Sequence, residues 1–402
     1  MKRSTLLNGT GIALLALVTA VGCSSTKPAA TPTSAAAPAT TSAAAPSSSV
    51  VSSETGSSEM SSSEISSSEM SSSETSPSEK SSSEMSSSES SAPGSSTGSE
   101  SSSPVVAPSK ASKNYNLAFI QGVTGDNFYI TMQCGIEAEA KKLGVTVTTQ
   151  GPAKFDPTLQ KPILDSVVQN KPDAILIAPT SVDAMQAPLA QAAAAGIKII
   201  LVDTTTSDPS YAASAIASDN LGGGKAAFDA VKQLAPGGGK VLVVSVDPGI
   251  STTDARAKGF NDAAAADGTY TPLDVQYSHN DPATAAQIVT AALQKDPDIV
   301  GIFATNLFAA QGSATGIQQA GKAGKVKVVG FDAGPAQIDA LKAGTVQALV
   351  AQQPGTIGTD GVDQAIAALD GGPVTKDIQT GFSVITADNV NDTKDAYVAD
   401  CS

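Results

Sequence analysis

Short apolar runs alternate with amphipathic stretches along the chain from residue 116 onward. The first unit has an apolar run at 117–120 and a turn at 122–127 that carries glycine, Asp and Asn. A helical pattern follows and ends in Lys141-Lys142-Leu143-Gly144, a helix stop of basic residues and glycine. The pattern predicts a strand–loop–helix unit with Phe128 and Tyr129 on the loop. Alternatively, these two aromatic residues belong to the core of the following helix.

The same alternation repeats to the end of the chain. Strands are predicted at 145–148, 174–177, 197–202, 215–217, 241–246, 299–304, 326–330 and 346–350, and helices at 158–169, 184–195, 222–234, 254–266, 283–293, 309–320, 336–343 and 356–369. Nearly continuous apolar strands between amphipathic helices are typical of parallel sheets covered on both faces. The predicted fold class is therefore α/β, with two Rossmann-like lobes and a ligand crevice between them.

The N-terminus carries an export signal. Met1-Lys2-Arg3 precedes an apolar stretch at 6–21, which is too short for a confident membrane span. Small residues follow and then Cys23, which resembles a bacterial lipoprotein signal, although Ala20 replaces the usual leucine. The resemblance implies removal of residues 1–22 and lipidation of Cys23. The alternative is an ordinary signal peptide with an incidental cysteine.

Residues 24–112 show no pattern that could form a core. Between 57 and 90 a five-residue repeat of serine and glutamate dominates, a period that fits neither helix nor strand. Such a segment cannot bury enough apolar surface to offset its chain entropy. Residues 23–112 are therefore expected to be a lipidated, disordered tether that holds the head, residues 113–402, at the extracytoplasmic face of the cell membrane.

Charge and residue content narrow the function further. The formal charge of −14 and the pI near 4.5 argue against nucleic acid as a partner. With a single histidine and no Cys/His metal spacing, the chain offers no catalytic triad and no metal site. Two Gly-Gly-Gly-Lys segments, at 222–225 and 237–240, lack P-loop spacing and are expected to be flexible turns. We expect a binding protein without a cofactor, not an enzyme.

Two cysteines remain once Cys23 is lipidated. Cys134 and Cys401 would form a lone pair in an oxidising compartment. We predict a disulfide between them that pins the C-terminal tail to the first helix; two buried free thiols are the alternative.

Several short motifs occur along the head in a fixed order. They are Asn127-Phe128-Tyr129, ILIAPT at 175–180, ILVD at 200–203, IASDNLG at 216–222, RAKGF at 256–260, VVGFD at 328–332 and AQQP at 351–354. In this order and spacing they resemble type I periplasmic binding proteins, near the ribose- and sugar-binding branch. The resemblance implies one lobe of residues 113–218 and 353–382, and another of 219–352 and 383–402. Three hinge crossovers are expected near 218–221, 352–354 and 381–383.

The resemblance also implies a ligand site. Phe128 and Tyr129 match aromatic residues that stack on a sugar ring, and Arg256, the only arginine after the signal peptide, matches the arginine of the second lobe. A helix-surface arginine is the alternative for Arg256. The matching polar positions are Asp126, Asp203, Asn280, Asn306, Asp332 and Gln352.

This sequence departs from ribose binders at three positions. Thr204 replaces a second arginine, Leu307 replaces an aspartate, and Asn280 replaces an aromatic residue. Another sugar, a polyol or a furanosyl signalling molecule therefore remain open as ligands. The expected function is solute capture for an ABC importer, with a membrane permease as partner and the chain as a monomer. The alternative is a sensor that presents its ligand to a membrane receptor.

Overall fold

The computed structural model describes residues 107–401. The predicted signal peptide, Cys23 and the serine–glutamate repeat lie outside the described residues. Ala111 and Ser112, assigned to the tether above, already contact the head: Ala111 N–H donates to Leu143 O at 3.3 Å and Ser112 N–H to Asp370 Oδ2 at 3.1 Å. In this part of the chain no helix is long and apolar enough to cross a membrane.

Every strand and helix predicted from the sequence is present, and four further strands occur that were not predicted. The strands are β1 (Asn116–Ile120), β2 (Thr146–Gln150), β3 (Ala174–Ile177), β4 (Lys198–Val202), β5 (Ser214–Ser218), β6 (Gly239–Ser245), β7 (Tyr270–Pro272), β8 (Gln276–Tyr277), β9 (Ile299–Ala304), β10 (Lys327–Phe331), β11 (Ala348–Gln352), β12 (Asp377–Thr380) and β13 (Phe382–Thr386). The helices are α1 (Asn127–Leu143), α2 (Pro157–Gln169), α3 (Gln186–Ala194), α4 (Asn220–Leu234), α5 (Ser251–Asp267), α6 (Pro282–Lys295), α7 (Leu307–Gln319), α8 (Pro335–Lys342) and α9 (Pro354–Asp370).

The strands form two sheets, and each sheet is the centre of one lobe. The first sheet has the order β12-β5-β4-β3-β1-β2, and the second has the order β13-β11-β10-β9-β6-β7, with β8 also paired to β6. The chain passes between the lobes after β5, after β11 and after β12, which confirms the three-crossover arrangement. Neighbouring strands are parallel except that β13 runs antiparallel to β11, so the second sheet is mixed.

Helices cover both faces of the first sheet. Leu117 and Phe119 of β1 pack into a cluster with residues of α1 and α9, whereas Ala118 and Ile120 pack into another with residues of α2 and α3. This two-sided burial explains why the strand reads as a continuous apolar run.

Local capping sets the helix ends that the site depends on. Asp126 caps α1, and Gly144, with φ of 78°, ends it in the left-handed conformation that glycine adopts without strain. Gly222 to Gly224 lie within α4, so the helix predicted at 222–234 is confirmed and the flexible turn expected at 222–225 is wrong. A Cβ at Gly224 would lie 2.1 Å from Arg256 O, and one at Gly259 would lie 2.1 Å from Leu221 O. The glycines therefore let α4 and α5 pack backbone to backbone.

Cys134 of α1 and Cys401 are joined by a disulfide, as predicted. The bond fastens the end of the chain to the first lobe. Residues 398–401, which the sequence assigned to the second lobe, thus pack on the first.

Candidate ligand-binding site

A cavity lies between the two lobes, where the carboxyl ends of several strands meet. All nine residues singled out from the sequence line it: Asp126, Phe128, Tyr129, Asp203, Arg256, Asn280, Asn306, Asp332 and Gln352. Ligands of open α/β folds occupy this kind of position.

The first turn of α1 forms one wall. Phe128 and Tyr129 lie in this turn and not on the preceding loop, so the alternative that they belong to the core of the following helix is correct. Both are buried as well as cavity-lining. The Asp126 side chain caps the helix by accepting the Phe128 N–H at 2.9 Å. Their rings meet edge to face with centroids 5.1 Å apart. Tyr129 donates its hydroxyl hydrogen to Asp203 Oδ2 at 2.7 Å, which links this wall to the end of β4.

Asp203 and Asp332 occupy equivalent places in the two lobes. Each directly follows a buried strand, β4 or β10, and each has a positive φ, 64° and 77° respectively. Left-handed backbone in a non-glycine residue costs roughly 1–3 kcal/mol and concentrates at ligand sites. At both strand ends, this backbone turn accompanies a buried carboxylate that lines the cavity.

Arg256 projects into the cavity from α5 of the second lobe and is only 3% exposed. Nε donates to Asn220 Oδ1 at 2.8 Å and Nη1 to Thr305 O at 2.9 Å, while the guanidinium lies 3.9 Å from the centroid of the Phe331 ring. The helix-surface alternative is therefore wrong. These two hydrogen bonds use two of the five guanidinium N–H groups and fix the plane of the fork.

Two asparagines complete the second-lobe wall. Asn306 caps α7 by accepting the Ala309 N–H at 3.1 Å, and its Nδ2 donates to Asn280 Oδ1 at 2.6 Å. Of the three departures from ribose binders, Asn280 lines the cavity, whereas Thr204 and Leu307 do not. Thr204 donates its hydroxyl hydrogen to Pro179 O at 2.7 Å, and the side chain of Leu307 is buried outside the cavity lining.

The three crossovers meet in one hydrogen-bond network that reaches the site. Ser218, at the end of β5, donates to Gln352 Oε1 at 2.8 Å and lies 3.4 Å from the Thr380 hydroxyl at the end of β12. Gln352, at the end of β11, donates through Nε2 to Asp332 Oδ1 at 2.7 Å. The hinge is thereby coupled directly to a cavity carboxylate.

Burial shapes the electrostatics of the cavity. Desolvation, with a further contribution from the Asp332 charge, raises the pKa of Asp126 to about 7. Desolvation raises the pKa of Asp203 to about 6, against the opposing effect of Arg256, and it also raises the pKa of Asp332. Three carboxylates thus share one guanidinium, and hydrogen-bond acceptors dominate the wall.

Sequence reasoning missed several contributors to the cavity. Phe155 and five smaller residues also line it: Val123, Val246, Ile250, Thr252 and Thr253. Phe155 follows β2 in a loop at the carboxyl edge of the first sheet, and this position could have identified it. Tyr397, in the C-terminal tail, donates to Asp332 Oδ1 at 3.1 Å and was not found because no motif surrounds it.

Comparison with known proteins places this geometry in a family. Residues 117–373 match the model of the periplasmic binding protein domain. A ribose import binding protein of Bacillus subtilis is 29% identical over 274 residues, covering 68% of this chain and 88% of that protein.

Two solved structures share the fold over the whole of their own length. An ABC transporter solute-binding protein from Agrobacterium vitis, bound with α-D-tagatopyranose, is 42% identical, covers 71% of this chain and superposes with a TM-score of 0.70. A second one from the same organism, with bound D-fucose, is 32% identical, covers 70% of this chain and gives a TM-score of 0.67. The chain therefore belongs to the family of periplasmic binding proteins.

Proposed function

We propose that this protein captures one small sugar or polyol between its two lobes and delivers it to the permease of an ABC importer. The observation that carries the proposal is the convergence of polar groups from both lobes on one buried cavity. Carboxylate and amide oxygens suit the many hydroxyl donors of a sugar, and Arg256 supplies planar donors in return. The ribose, tagatose and fucose named for similar proteins belong to the same chemical class.

Aromatic rings support the same assignment. Phe128, Tyr129 and Phe155 all line the cavity. Aromatic faces pack well on the apolar C–H face of a sugar ring, at roughly 0.5–1.5 kcal/mol beyond the area that is buried.

Capture would proceed by closure of the lobes about the three crossovers. Val182 N–H of the first lobe donates to Gly249 O of the second at 3.1 Å, and Thr205 N–H donates to Ser251 Oγ at 3.0 Å. Together these two bonds define a latch across the cleft. We further propose that the protein is exported, lipidated at Cys23 and monomeric. Lipidation would tether it to the membrane, where its closed form could dock on the permease. The names of the relatives favour import over sensing.

A thermal-shift screen tests the proposal. The purified full-length chain, freed of co-purified ligand by unfolding and refolding, is screened against pentoses, hexoses, polyols and, for comparison, amino acids. A ligand at 100 times its Kd adds about 2.7 kcal/mol to the free energy of unfolding, which is a shift of several degrees. We expect a sugar or polyol to raise the melting temperature, and the shift to disappear in Asp203→Ala and Arg256→Ala. A shift by amino acids alone would refute the carbohydrate assignment.

A further inference from the structure

The C-terminal tail, residues 387–401, connects the two lobes a fourth time. On the second-lobe side, Ser383 Oγ donates to Asp395 Oδ2 at 2.6 Å and Tyr397 N–H to Ala333 O at 2.9 Å. The next residue already contacts the first lobe, since Val398 N–H donates to Thr131 Oγ1 at 3.0 Å. The tail therefore spans the cleft within one residue.

Tyr397 lies at that crossing point and is buried, with 4% of its surface exposed. Its hydroxyl donates to Asp332 Oδ1 at 3.1 Å and accepts the Gln352 N–H at 3.0 Å. Its ring lies 5.9 Å from that of Phe128, centroid to centroid. One side chain thus touches the cavity carboxylate of the second lobe, the hinge backbone and the aromatic wall of the first.

We infer that Tyr397 is a positioning residue of the ligand site, which orients Asp332 for the ligand and is itself held in place by the Cys134–Cys401 disulfide. This inference rests on the proposed function. The backbone N–H of Asp332 donates to Val350 O at 2.8 Å, and its carboxylate accepts the Leu307 N–H at 3.1 Å and the Gln352 side-chain Nε2 at 2.7 Å. Tyr397 supplies the third hydrogen bond, to the same oxygen as Gln352.

The disulfide restrains the tail and therefore the position of Tyr397. The tail contacts the first lobe through Val398, whose carbonyl accepts from Asn127 Nδ2 at 3.1 Å, and through Cys401. Val398 is 40% exposed, so its apolar burial holds the tail weakly. The covalent bond, four residues beyond Tyr397, prevents the tail from peeling away when the hinge opens.

The test compares Tyr397→Phe with Tyr270→Phe in the full-length chain. Tyr270 is also 4% exposed and donates its hydroxyl hydrogen to Ala235 O at 2.7 Å, away from the cavity. The probe is whichever of D-ribose, D-tagatose and D-fucose binds most tightly by calorimetry. We expect Tyr397→Phe to weaken Kd roughly tenfold, because hydrogen bonds to charged groups are strong, and Tyr270→Phe to leave Kd unchanged.

A readout without sugar separates positioning from simple loss of stability. The Asp332 carboxyl group is titrated by ¹³C NMR in both variants, with Arg256, Asp126 and Asp203 as the other charged groups that act on it. The Tyr397 hydroxyl lowers the pKa of Asp332, so Tyr397→Phe should raise it and Tyr270→Phe should not. An unchanged Asp332 titration in Tyr397→Phe would overturn the inference, whether or not any sugar binds. Failure of every sugar to bind, with the titration shifted, would count against the proposed function alone.

The role of the disulfide is tested by the double variant Cys134→Ser/Cys401→Ser. Once the tail is released from the first lobe, Tyr397 should occupy its position for a smaller fraction of the time. The affinity for the same probe should therefore fall, and the backbone N–H of Gln352, which donates to the Tyr397 hydroxyl, should exchange with solvent faster. Wild-type Kd and wild-type exchange would show that the bond stabilises the fold without serving the site.

Discussion

Arg256 is the only cation among the residues that line the cavity, and it lies among Asp126, Asp203 and Asp332. Its orientation depends on two hydrogen bonds that leave from different nitrogen atoms, Nε and Nη1. A lysine ammonium carries the same charge but cannot reproduce this planar geometry. The identity of the residue matters here as much as its charge.

We therefore expect Arg256→Lys to weaken ligand binding by roughly tenfold or more, because a buried charge-assisted hydrogen bond is lost. A tenfold change in Kd corresponds to about 1.4 kcal/mol of binding free energy. Calorimetric titration with the best sugar of the screen measures the change. Lys258→Gln is the matched control, because Lys258 lies on the same helix with its side chain 66% exposed. Equal affinity of Arg256→Lys and wild type would remove Arg256 from the site.

The raised pKa of Asp126 predicts how the stability of the protein depends on pH. Its pKa is raised from 3.8 to about 7 in the folded protein, so the native state holds the proton more tightly than the unfolded state. Its contribution to the free energy of unfolding therefore falls as pH rises from 3.8 to about 7, by at most about 1.4 kcal/mol per pH unit. Asp126→Asn retains a capping side chain and should lessen this fall in urea unfolding.

Asp156 is the control for that experiment, because it caps α2 as Asp126 caps α1 but is only partly buried. Hydrogen bonds from Thr158 lower its pKa, so its contribution is present above the unfolded pKa and is lost as pH falls. Asp156→Asn should therefore lessen the loss of stability as pH falls, which is the opposite of the change expected for Asp126→Asn. The same sign in both variants would contradict the burial argument for Asp126.

Which residues of the site could be predicted from the sequence depended on local motifs and on the family resemblance. Nine of the cavity residues could be predicted because they match positions of the sugar-binding family, and several of them lie at a strand end or in a short motif such as VVGFD at 328–332. Tyr397 could not, because it lies in a segment without periodicity and acts through contacts that only the folded chain creates. The loop of Phe155 also lacks a motif, but its place after β2 at the carboxyl edge of the first sheet could have identified it.

At the level of elements, the close contact of α4 and α5 positions Arg256. Gly224→Ala should lower the melting temperature by several degrees and weaken ligand binding, because its Cβ would meet Arg256 O at 2.1 Å and push α5 away. Gly237→Ala is the matched control, since a Cβ there meets nothing within 4 Å. Thermal unfolding and calorimetry measure both effects. A Gly224→Ala protein with wild-type stability would show that the helices have room to separate.

Predicted elements agree with the structure wherever an apolar run is long and central. The strand at 174–177 and the strand at 299–304 were predicted with their observed bounds. The short edge strands β7, β8, β12 and β13 were missed, because edge strands are exposed on one side and lack a continuous apolar run. The antiparallel pairing of β13 likewise has no local signal, since it follows from the last crossover.

At the level of the whole molecule, the latch across the cleft predicts how long a ligand stays bound. Ser251→Ala removes the acceptor of the Thr205 N–H and should raise the dissociation rate of a bound sugar by roughly fivefold, the equivalent of about one hydrogen bond. Stopped-flow release into an excess of competing sugar measures the rate. Thr315→Ala, which removes a hydroxyl bonded within α7, is the control and should leave the rate unchanged. Equal rates in all three proteins would rule out the latch.

The central claim is that the interlobe cavity binds one sugar or polyol molecule, and calorimetric titration of the ligand-free full-length chain tests it most directly. With D-ribose, D-tagatose, D-fucose and the best compound of the screen as titrants, we expect one ligand per chain. We also expect no detectable binding in Asp203→Ala, whose side chain bonds Tyr129 and lines the cavity. Undiminished binding in that variant, or no binding of any sugar or polyol to the wild type, would contradict the account.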